Sequence, residues 1–357
     1  MKEKKWGLII LLLVILGAGA YMFYQKQTPD NVAITGFIGG EKIPLVENEE
    51  FKTKVKKSYG LSMDYRKAGS LAMAETDTEG RDYLWPSSQL ALELFRKNGG
   101  KDLQNEIVFN TPIVLYSRKL VVDSLIEEGV VRLDGDVHYV DMVKLANLMK
   151  EEKTWADIGL GELYGPILVD TTDPNQSNSG NMFLGLLANA LNGNKTVSIA
   201  TMDNVKEDIE RIYKQIGYMQ TSSIDMFNQF LRQGVGSFPI IAGYESQLLE
   251  FSKLEPDMYQ QIRDDVVILY PEPTVWSSHV YIALTEEGKV GLTALMDKEI
   301  QTLAWTEHGY RTIVAGTENP DEFDVNGMAG QVTKIMQMPS IDAVSYTHLR
   351  AHETPEH

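Results

Sequence analysis

The chain has 357 residues, more than one ordinary domain needs and enough for two, each with its own hydrophobic core. Hydrophobic residues at 43% and charged residues at 23% are near the averages of globular proteins, which excludes disordered, collagen-like and coiled-coil chains. The formal charge of −17 argues against binding to nucleic acid, whose phosphates require clustered Lys and Arg. The absence of cysteine excludes disulfides, thiol catalysis and an acylated lipoprotein cysteine.

The N-terminus carries the pattern of a membrane anchor. Lys2, Lys4 and Lys5 precede an apolar run over residues 7–24, which as a helix would be about 27 Å long and would just span a bilayer. Because the basic flank stays inside, the body is expected outside the cytoplasm on a single-pass anchor in the cell membrane. The small residues at 18–20 are an alternative signal-peptidase site, and cleavage there would give a secreted protein. Residues 1–31 are therefore predicted to be an anchor or signal segment with its linker.

The opposite end reads as foreign sequence. Residues 344–354, VSYTHLRAHET, look like one reading frame of a transposase sequencing adapter joined to an incomplete gene. Residues 344–357 are therefore predicted to be a non-native tail, and the natural C-terminus is expected to lie beyond the fragment. Three of the six histidines, His348, His352 and His357, fall in this tail and are expected to have no function.

Between the two ends, predicted strands and helices alternate. Strands are predicted at residues 32–38, 61–65, 107–116, 166–170, 238–242, 266–270 and 280–284. Helices are predicted at residues 71–75, 89–97, 140–150, 181–191, 202–216, 226–233 and 246–252. The extended run at 107–116 is long enough to pass from one lobe into another. The alternation predicts an α/β fold whose sheets are mostly parallel and flanked by helices.

One junction between a predicted strand and helix, residues 171–180, is rich in polar groups. Its sequence, TTDPNQSNSG, places Ser177, Asn178 and Ser179 beside the free N–H groups of a helix start, which suits an anionic or polar ligand. The alternative is that Ser177 or Ser179 only caps the helix. No Lys follows a glycine-rich turn here, so the junction is not the phosphate-binding loop of nucleoside triphosphatases.

Small polar residues recur at other junctions of this kind, at Gly69-Ser70, Ser87-Ser88 and residues 244–246. In open α/β sheets, ligands bind beyond the carboxyl ends of the strands, where such junctions gather. We therefore expect these junctions to meet around one ligand site.

Catalytic motifs are missing from the sequence. There is no Gly-x-Ser-x-Gly elbow and no His-Glu-x-x-His helix, and only His138, His279 and His308 lie outside the tail. His279 is expected to be a structural histidine with satisfied hydrogen bonds. The sequence therefore predicts no enzyme, no catalytic residue, no metal site and no cofactor.

The order of the motifs resembles the extracellular solute-binding proteins of molybdate and sulfate uptake over most of the chain. Residues 82–89 resemble that family's strand with a small-residue turn, and DPNQSNSG at 173–180 resembles its Asp-Pro motif before a helix. PIIAGYESQL at 239–248 resembles its second-lobe strand with a tyrosine. Residues 270–284 resemble its return crossover, and residues 294–310 resemble its closing helix and glycine turn.

This resemblance implies a two-lobed, type 2 periplasmic-binding-protein fold. Lobe 1 would comprise residues 32–112 and 280–343, and lobe 2 would comprise residues 113–279. Together with the polar junctions, it implies ligand-binding positions at Gly39, Gly40, Ser70, Ser87, Ser88, Ser177, Asn178, Ser179, Tyr244 and Glu245. Glu245 departs from the family, because a carboxylate facing the cleft would repel an oxyanion. It is expected to point to solvent, with a contact to an amine or a metal as the alternative.

The implied function is the capture of a small polar or anionic ligand between two lobes that close like a hinge. The expected partners are that ligand and a membrane permease with its ATPase, as in ABC-type uptake, and the protein is expected to be a monomer. The alternative is a surface-anchored interaction or sensor protein that keeps the fold without transport.

Overall fold

The computed structural model describes residues 31–340. The predicted membrane segment at the N-terminus and the predicted non-native tail lie outside the described residues. Within residues 31–340, no helix combines the length and the apolar character needed to cross a bilayer.

Ten strands form a continuous sheet system within the described chain. They are β1 (Val32–Ile38), β2 (Leu61–Lys67), β3 (Tyr83–Trp85), β4 (Gln104–Arg118), β5 (Val131–Asp134), β6 (Val137–Val140), β7 (Ile240–Tyr244), β8 (Val266–Pro271), β9 (Trp276–Ala283) and β10 (Arg311–Thr312). The predicted strands at 32–38, 61–65, 107–116, 238–242, 266–270 and 280–284 are confirmed, with ends shifted by a few residues. β-branched and aromatic residues on buried strands explain this agreement, because they suit a pleated surface packed on both faces.

The long strand β4 joins two halves of the molecule. Its first part pairs with β9 and β10, and its second part pairs with β7 and β8. We call lobe 1 the half built on β1, β2, β3, β9 and β10, and lobe 2 the half built on β5 to β8. The limits predicted from the sequence, residues 32–112 with 280–343 for lobe 1 and residues 113–279 for lobe 2, stay a prediction.

The sheets are mixed, so the expectation of mostly parallel sheets is wrong. β1 lies parallel to β2 and β3, and β6 lies parallel to β8. By contrast, β4 is antiparallel to all four of its neighbours, and β3 is antiparallel to β9. The reason is that β4 and β9 cross between the lobes in opposite directions, which an alternation of strands and helices in the sequence does not reveal.

Helices cover both faces of the sheets. They are α1 (Ile43–Glu47), α2 (Glu49–Tyr59), α3 (Ser70–Glu75), α4 (Gln89–Lys97), α5 (Lys119–Glu127), α6 (Met142–Lys150), α7 (Asn178–Leu191), α8 (Ile199–Met202), α9 (Lys206–Ile216), α10 (Ser223–Arg232), α11 (Glu245–Leu254), α12 (Pro256–Ile262), α13 (Glu286–Leu295) and α14 (Lys298–Thr306). The helix predicted at 202–216 is two helices, α8 and α9, and the strand predicted at 166–170 is wrong. Only Pro166 and Asp170 form isolated bridges there, because Pro166 has no N–H to donate to a ladder.

Each lobe has its own hydrophobic core. Lobe 1 packs residues such as Ile34, Trp85 and Phe109 between its sheet and α13 and α14. In lobe 2, α7 is buried along almost its whole length, and Phe183 and Leu187 belong to the core. Because α7 is held so firmly, the first residues of this helix have a fixed position at the junction of the lobes.

Candidate functional site

The ends of β1, β2 and β7 and the starts of α3, α7 and α10 meet at one cavity of about 320 Å³ between the lobes. This volume suits a small ligand. Its lining consists of Gly39, Gly40, Glu41, Lys67, Ala68, Gly69, Ser70, Gln176, Ser177, Asn178, Thr221, Ser222, Ser223 and Tyr244. Residues 39–41 and 67–70 come from lobe 1, and the others come from lobe 2.

Asn178, at the start of α7, links the lobes across the base of the cavity. Its Nδ2 donates to the backbone O of Ser87 at 2.9 Å, to the Tyr244 hydroxyl at 3.0 Å and to Ser277 Oγ at 3.2 Å. Ser277 Oγ also donates to the backbone O of Ser87 at 2.7 Å. The Oδ1 atom of Asn178 is buried and accepts no hydrogen bond from the described residues. An unpaired acceptor of this kind is costly unless a ligand or water bonds to it.

Two helix starts give the lobe 2 wall a positive potential. The N-cap residues Ser177 of α7 and Ser222 of α10 make no side-chain capping bond. First-turn N–H groups without a cap attract an acceptor, and the helix dipole favours negative charge there. From lobe 1, the exposed Lys67 ammonium adds a full positive charge.

A buried charge cluster lies behind the lobe 1 wall. Lys42 is fully buried, and its Nζ donates to Glu41 Oε1 at 2.6 Å and to Ser87 Oγ at 2.5 Å. The Ser87 hydroxyl in turn donates to Glu41 Oε1. Burial alone would raise the pKa of Glu41, but the charge of Lys42 and the hydrogen bonds from Lys42 and Ser87 lower it to about 2. Glu41 therefore stays ionised while its carboxylate lines the cavity.

His279 lies next to this cluster in β9 and is fully buried. Burial, with the positive charge of Lys42, lowers its pKa well below the usual value, so the ring is neutral. Its Nδ1 lies 3.9 Å from Glu41 Oε1, and neither ring nitrogen has a hydrogen-bond partner among the described residues. The expectation of satisfied hydrogen bonds is therefore wrong, because the neighbours of the ring include the aromatic face of Tyr310.

The structure brings most of the predicted ligand positions together. Gly39, Gly40, Ser70, Ser177, Asn178 and Tyr244 all line the cavity. Their role in ligand binding stays a prediction.

The hydroxyls of three serines predicted to bind ligand form hydrogen bonds within the protein. The Ser87 hydroxyl bonds to Glu41 and Lys42, so it lies behind the wall rather than in it. Ser88 caps α4 by accepting from the backbone N–H of Leu90. Ser179 shares hydrogen bonds with the hydroxyls of Thr172 and Ser177.

Glu245 is neither solvent-exposed nor part of the cavity wall, so the expectation that it faces solvent is wrong. Its side chain is fully buried and accepts two bonds from the Arg311 guanidinium, at 2.8 and 2.7 Å. Tyr270 donates a third bond at 2.6 Å. A buried carboxylate needs a paired cation, and β10 supplies Arg311 from far along the chain, a contact that local sequence does not reveal.

Sequence reasoning missed Glu41, Lys67 and the start of α10. Glu41 directly follows the predicted Gly39-Gly40 turn, and Lys67 ends β2, so both stand at strand ends. Their position at strand ends is the sequence signal that could have identified these residues as part of the site. The signal is weak, because most charged residues of globular proteins lie in solvent.

Comparisons with known proteins give no match to a family model and no match among curated proteins. Solved structures do match. Apo ferric ion-binding protein A of Pasteurella haemolytica has a TM-score of 0.57 at 12% identity, over 90% of this chain and 96% of that one. The periplasmic binding protein AfuA of Actinobacillus pleuropneumoniae, with fructose-6-phosphate bound, has a TM-score of 0.55 at 13% identity, over 90% and 96% of the two chains. The sulfate-binding protein SubI of Mycobacterium tuberculosis has a TM-score of 0.50 at 12% identity, over 88% and 95%.

The chain therefore has the fold of the type 2 periplasmic binding proteins, as the resemblance implied. The neighbours bind quite different ligands, and the sulfate-binding protein superposes no better than the others. The comparison of structures therefore does not favour the binders of molybdate and sulfate over other periplasmic binding proteins. Among residues 31–340, no group of three or more His, Asp or Glu is arranged to hold a metal ion.

Proposed function

We propose that this chain is an extracytoplasmic solute-binding protein that captures a small polar or anionic ligand between its lobes. The observation that carries the proposal is the interlobe cavity, where the uncapped starts of α7 and α10 and the Lys67 ammonium face the same space. Donors of this kind stabilise a negative group without further rearrangement. Binding rather than catalysis is the proposed activity.

The names of the structural neighbours support a small ligand. They include proteins described as binding sulfate, ferric ion and fructose-6-phosphate, and one is the substrate-binding protein of an ABC transporter from Agrobacterium tumefaciens, with a TM-score of 0.57 at 14% identity over 91% and 94% of the chains. By analogy we propose a membrane permease with its ATPase as the partner. We also propose that the protein acts as a monomer, tethered outside the cell by its N-terminal segment.

Thermal unfolding with a ligand panel tests the proposal. Oxyanions, sugar phosphates and small zwitterions would each be added to the purified protein. A ligand at 100 times its Kd stabilises the folded state by about 2.7 kcal/mol, which corresponds to a rise in Tm of about 4 °C for a protein of this size. A panel that leaves Tm unchanged throughout would contradict solute binding and favour the sensor alternative.

Lys67→Met sharpens this test, and exposed Lys101→Met is its control. The first variant should weaken an anionic ligand by about tenfold, the equivalent of about 1.4 kcal/mol, while the second should bind like the wild type. Equal ligand affinities of the two variants would show that Lys67 does not contribute to ligand binding.

A further inference from the structure

The two charged side chains of the cavity lie on either side of one glycine turn. A Cβ atom added to Gly39 would lie 2.5 Å from Glu41 Oε2, and one added to Gly40 would lie 3.2 Å from Lys67 Nζ. A side chain at either position would have to displace the end of the neighbouring charged side chain. The carboxylate and the ammonium group therefore lie against two different glycines of the lobe 1 wall.

Glu41 presents an unused acceptor to the cavity. Lys42 and Ser87 both bond to Oε1, and His279 also lies nearest that oxygen. No described residue donates to Oε2. The side chain is 12% exposed, at the cavity wall, so Oε2 is open to a ligand.

Asn178 presents a second unused acceptor, contributed by the other lobe. Its Nδ2 is identified by the bond to the backbone O of Ser87, which can only accept, so the unpartnered atom is Oδ1. The residue is only 9% exposed and lines the same cavity. Water or a ligand N–H or O–H group can satisfy such acceptors, and the charged Glu41 Oε2 favours a ligand group that carries several donors.

Groups that attract an anion lie in the same cavity. Lys67 forms no ion pair in the described chain, and the starts of α7 and α10 offer N–H groups without a side-chain cap. A bare oxyanion would use these groups, but it would leave Glu41 Oε2 unpaired and would lie near the negative charge of that carboxylate. A simple cation would leave the positive groups without a partner.

We infer that the cavity binds a small zwitterion, with its ammonium group at Glu41 Oε2 and its anionic group between Lys67 and the starts of α7 and α10. This inference rests on the proposed solute-binding function and names the class of ligand. The charge of Glu41 discriminates against plain oxyanions.

Three matched pairs of probes test the inference by isothermal titration calorimetry. They are phosphoethanolamine with ethyl phosphate, taurine with ethanesulfonate, and β-alanine with propionate, so that each pair differs mainly in the ammonium group. At least one zwitterion should bind about tenfold or more tightly than its partner, as expected for a charge-assisted hydrogen bond to a carboxylate. Binding without a preference for the zwitterion in any of the three pairs would overturn the inference while leaving solute binding in place. Failure of all six probes would also overturn it, and the wider panel above would then decide solute binding separately.

Variants of Glu41 identify the group responsible. Glu41→Gln should remove most of the preference for the zwitterion, whereas Glu93→Gln, an exposed carboxylate of α4, should keep it. Because Glu41→Gln leaves buried Lys42 without its counter-charge, the double variant Glu41→Gln with Lys42→Met keeps the test valid if the single variant does not fold. A preference unchanged in a folded variant of either kind would sink the inference.

Discussion

Among residues 31–340, Asp170 is a half-buried acid whose carboxylate has no hydrogen-bond or ion-pair partner. Burial raises its pKa from 3.8 to about 7. The group stands beside the cavity-forming loop, where the backbone of Asp170 bonds to Ile240 and Ala242 of β7. A carboxyl with this environment favours the protonated form in the folded state, so its ionisation opposes folding.

The sign of the pH dependence follows from that shift. The folded state holds the proton up to about pH 7 and the unfolded state releases it near pH 4, so this contribution to stability is complete below about pH 4 and is lost as the pH rises to about 7. Asp170→Asn should therefore be more stable than the wild type at pH 8, by at most about 4 kcal/mol at about 1.36 kcal/mol per pKa unit. The advantage should shrink as the pH falls toward 4. Denaturant unfolding from pH 4 to 8 measures it, with exposed Asp203→Asn as the control, and an advantage constant across that range would refute the argument.

At the residue scale, turn chemistry predicted part of the site. Ser70, Ser177 and Tyr244 were identifiable because polar residues recur where predicted strands pass into predicted helices, which is where ligands bind in open α/β sheets. The environments of Glu41 and Glu245 were not predictable. The Glu41 carboxylate pairs with Lys42 and that of Glu245 with Arg311, and only the folded chain shows which cation lies near each one. Local sequence thus indicates where a ligand site lies better than it indicates which charges are inside it.

At the scale of elements, the serines at helix starts have different tasks. Ser88 caps α4 through the backbone N–H of Leu90, whereas Ser177 makes no capping bond to α7 and lines the cavity. The strands were predictable from their β-branched content, but the direction of β4 and β9 was not. Pairing between distant strands depends on the whole topology.

The two serines should respond differently to removal of the hydroxyl. Ser88→Ala should lower the free energy of unfolding by about 1 kcal/mol, the usual value of an N-cap, and leave ligand affinity unchanged. Ser177→Ala should leave stability nearly unchanged and weaken ligand binding by about 0.5 to 1.5 kcal/mol, the value of one hydrogen bond. Chemical denaturation and calorimetry on both variants separate these effects. If Ser177→Ala lowered stability without changing ligand affinity, Ser177 would have a structural role and no role in binding.

At the scale of the whole molecule, the lobes are joined by chain crossings and by side chains. β4 and β9 run side by side from residue 104 to residue 112 of β4, and β4 continues into lobe 2. Beyond this covalent connection, Asn178 contacts Ser87 and Ser277 of lobe 1 from the start of a helix anchored in lobe 2. The buried pair of Arg311 in β10 with Glu245 in α11 joins the lobes as well. We expect the Asn178 bonds beside the cavity to favour the closed form over one opened by rotation about the crossing strands.

Removal of the Asn178 side chain should therefore favour an open form. Asn178→Ala loses three hydrogen bonds, two of them between lobes, and even one net bond of about 1.4 kcal/mol would shift the equilibrium between closed and open forms about tenfold. Small-angle scattering without ligand should give a larger radius of gyration for this variant than for the wild type. Asn192→Ala, which loses a bond to Lys195 on the surface, should scatter like the wild type. A ligand that binds both lobes should return Asn178→Ala to the compact form at a higher concentration than the wild type needs, because part of its binding energy is used for closure. Identical scattering of Asn178→Ala and the wild type without ligand would show that the crossing strands alone set the angle between the lobes.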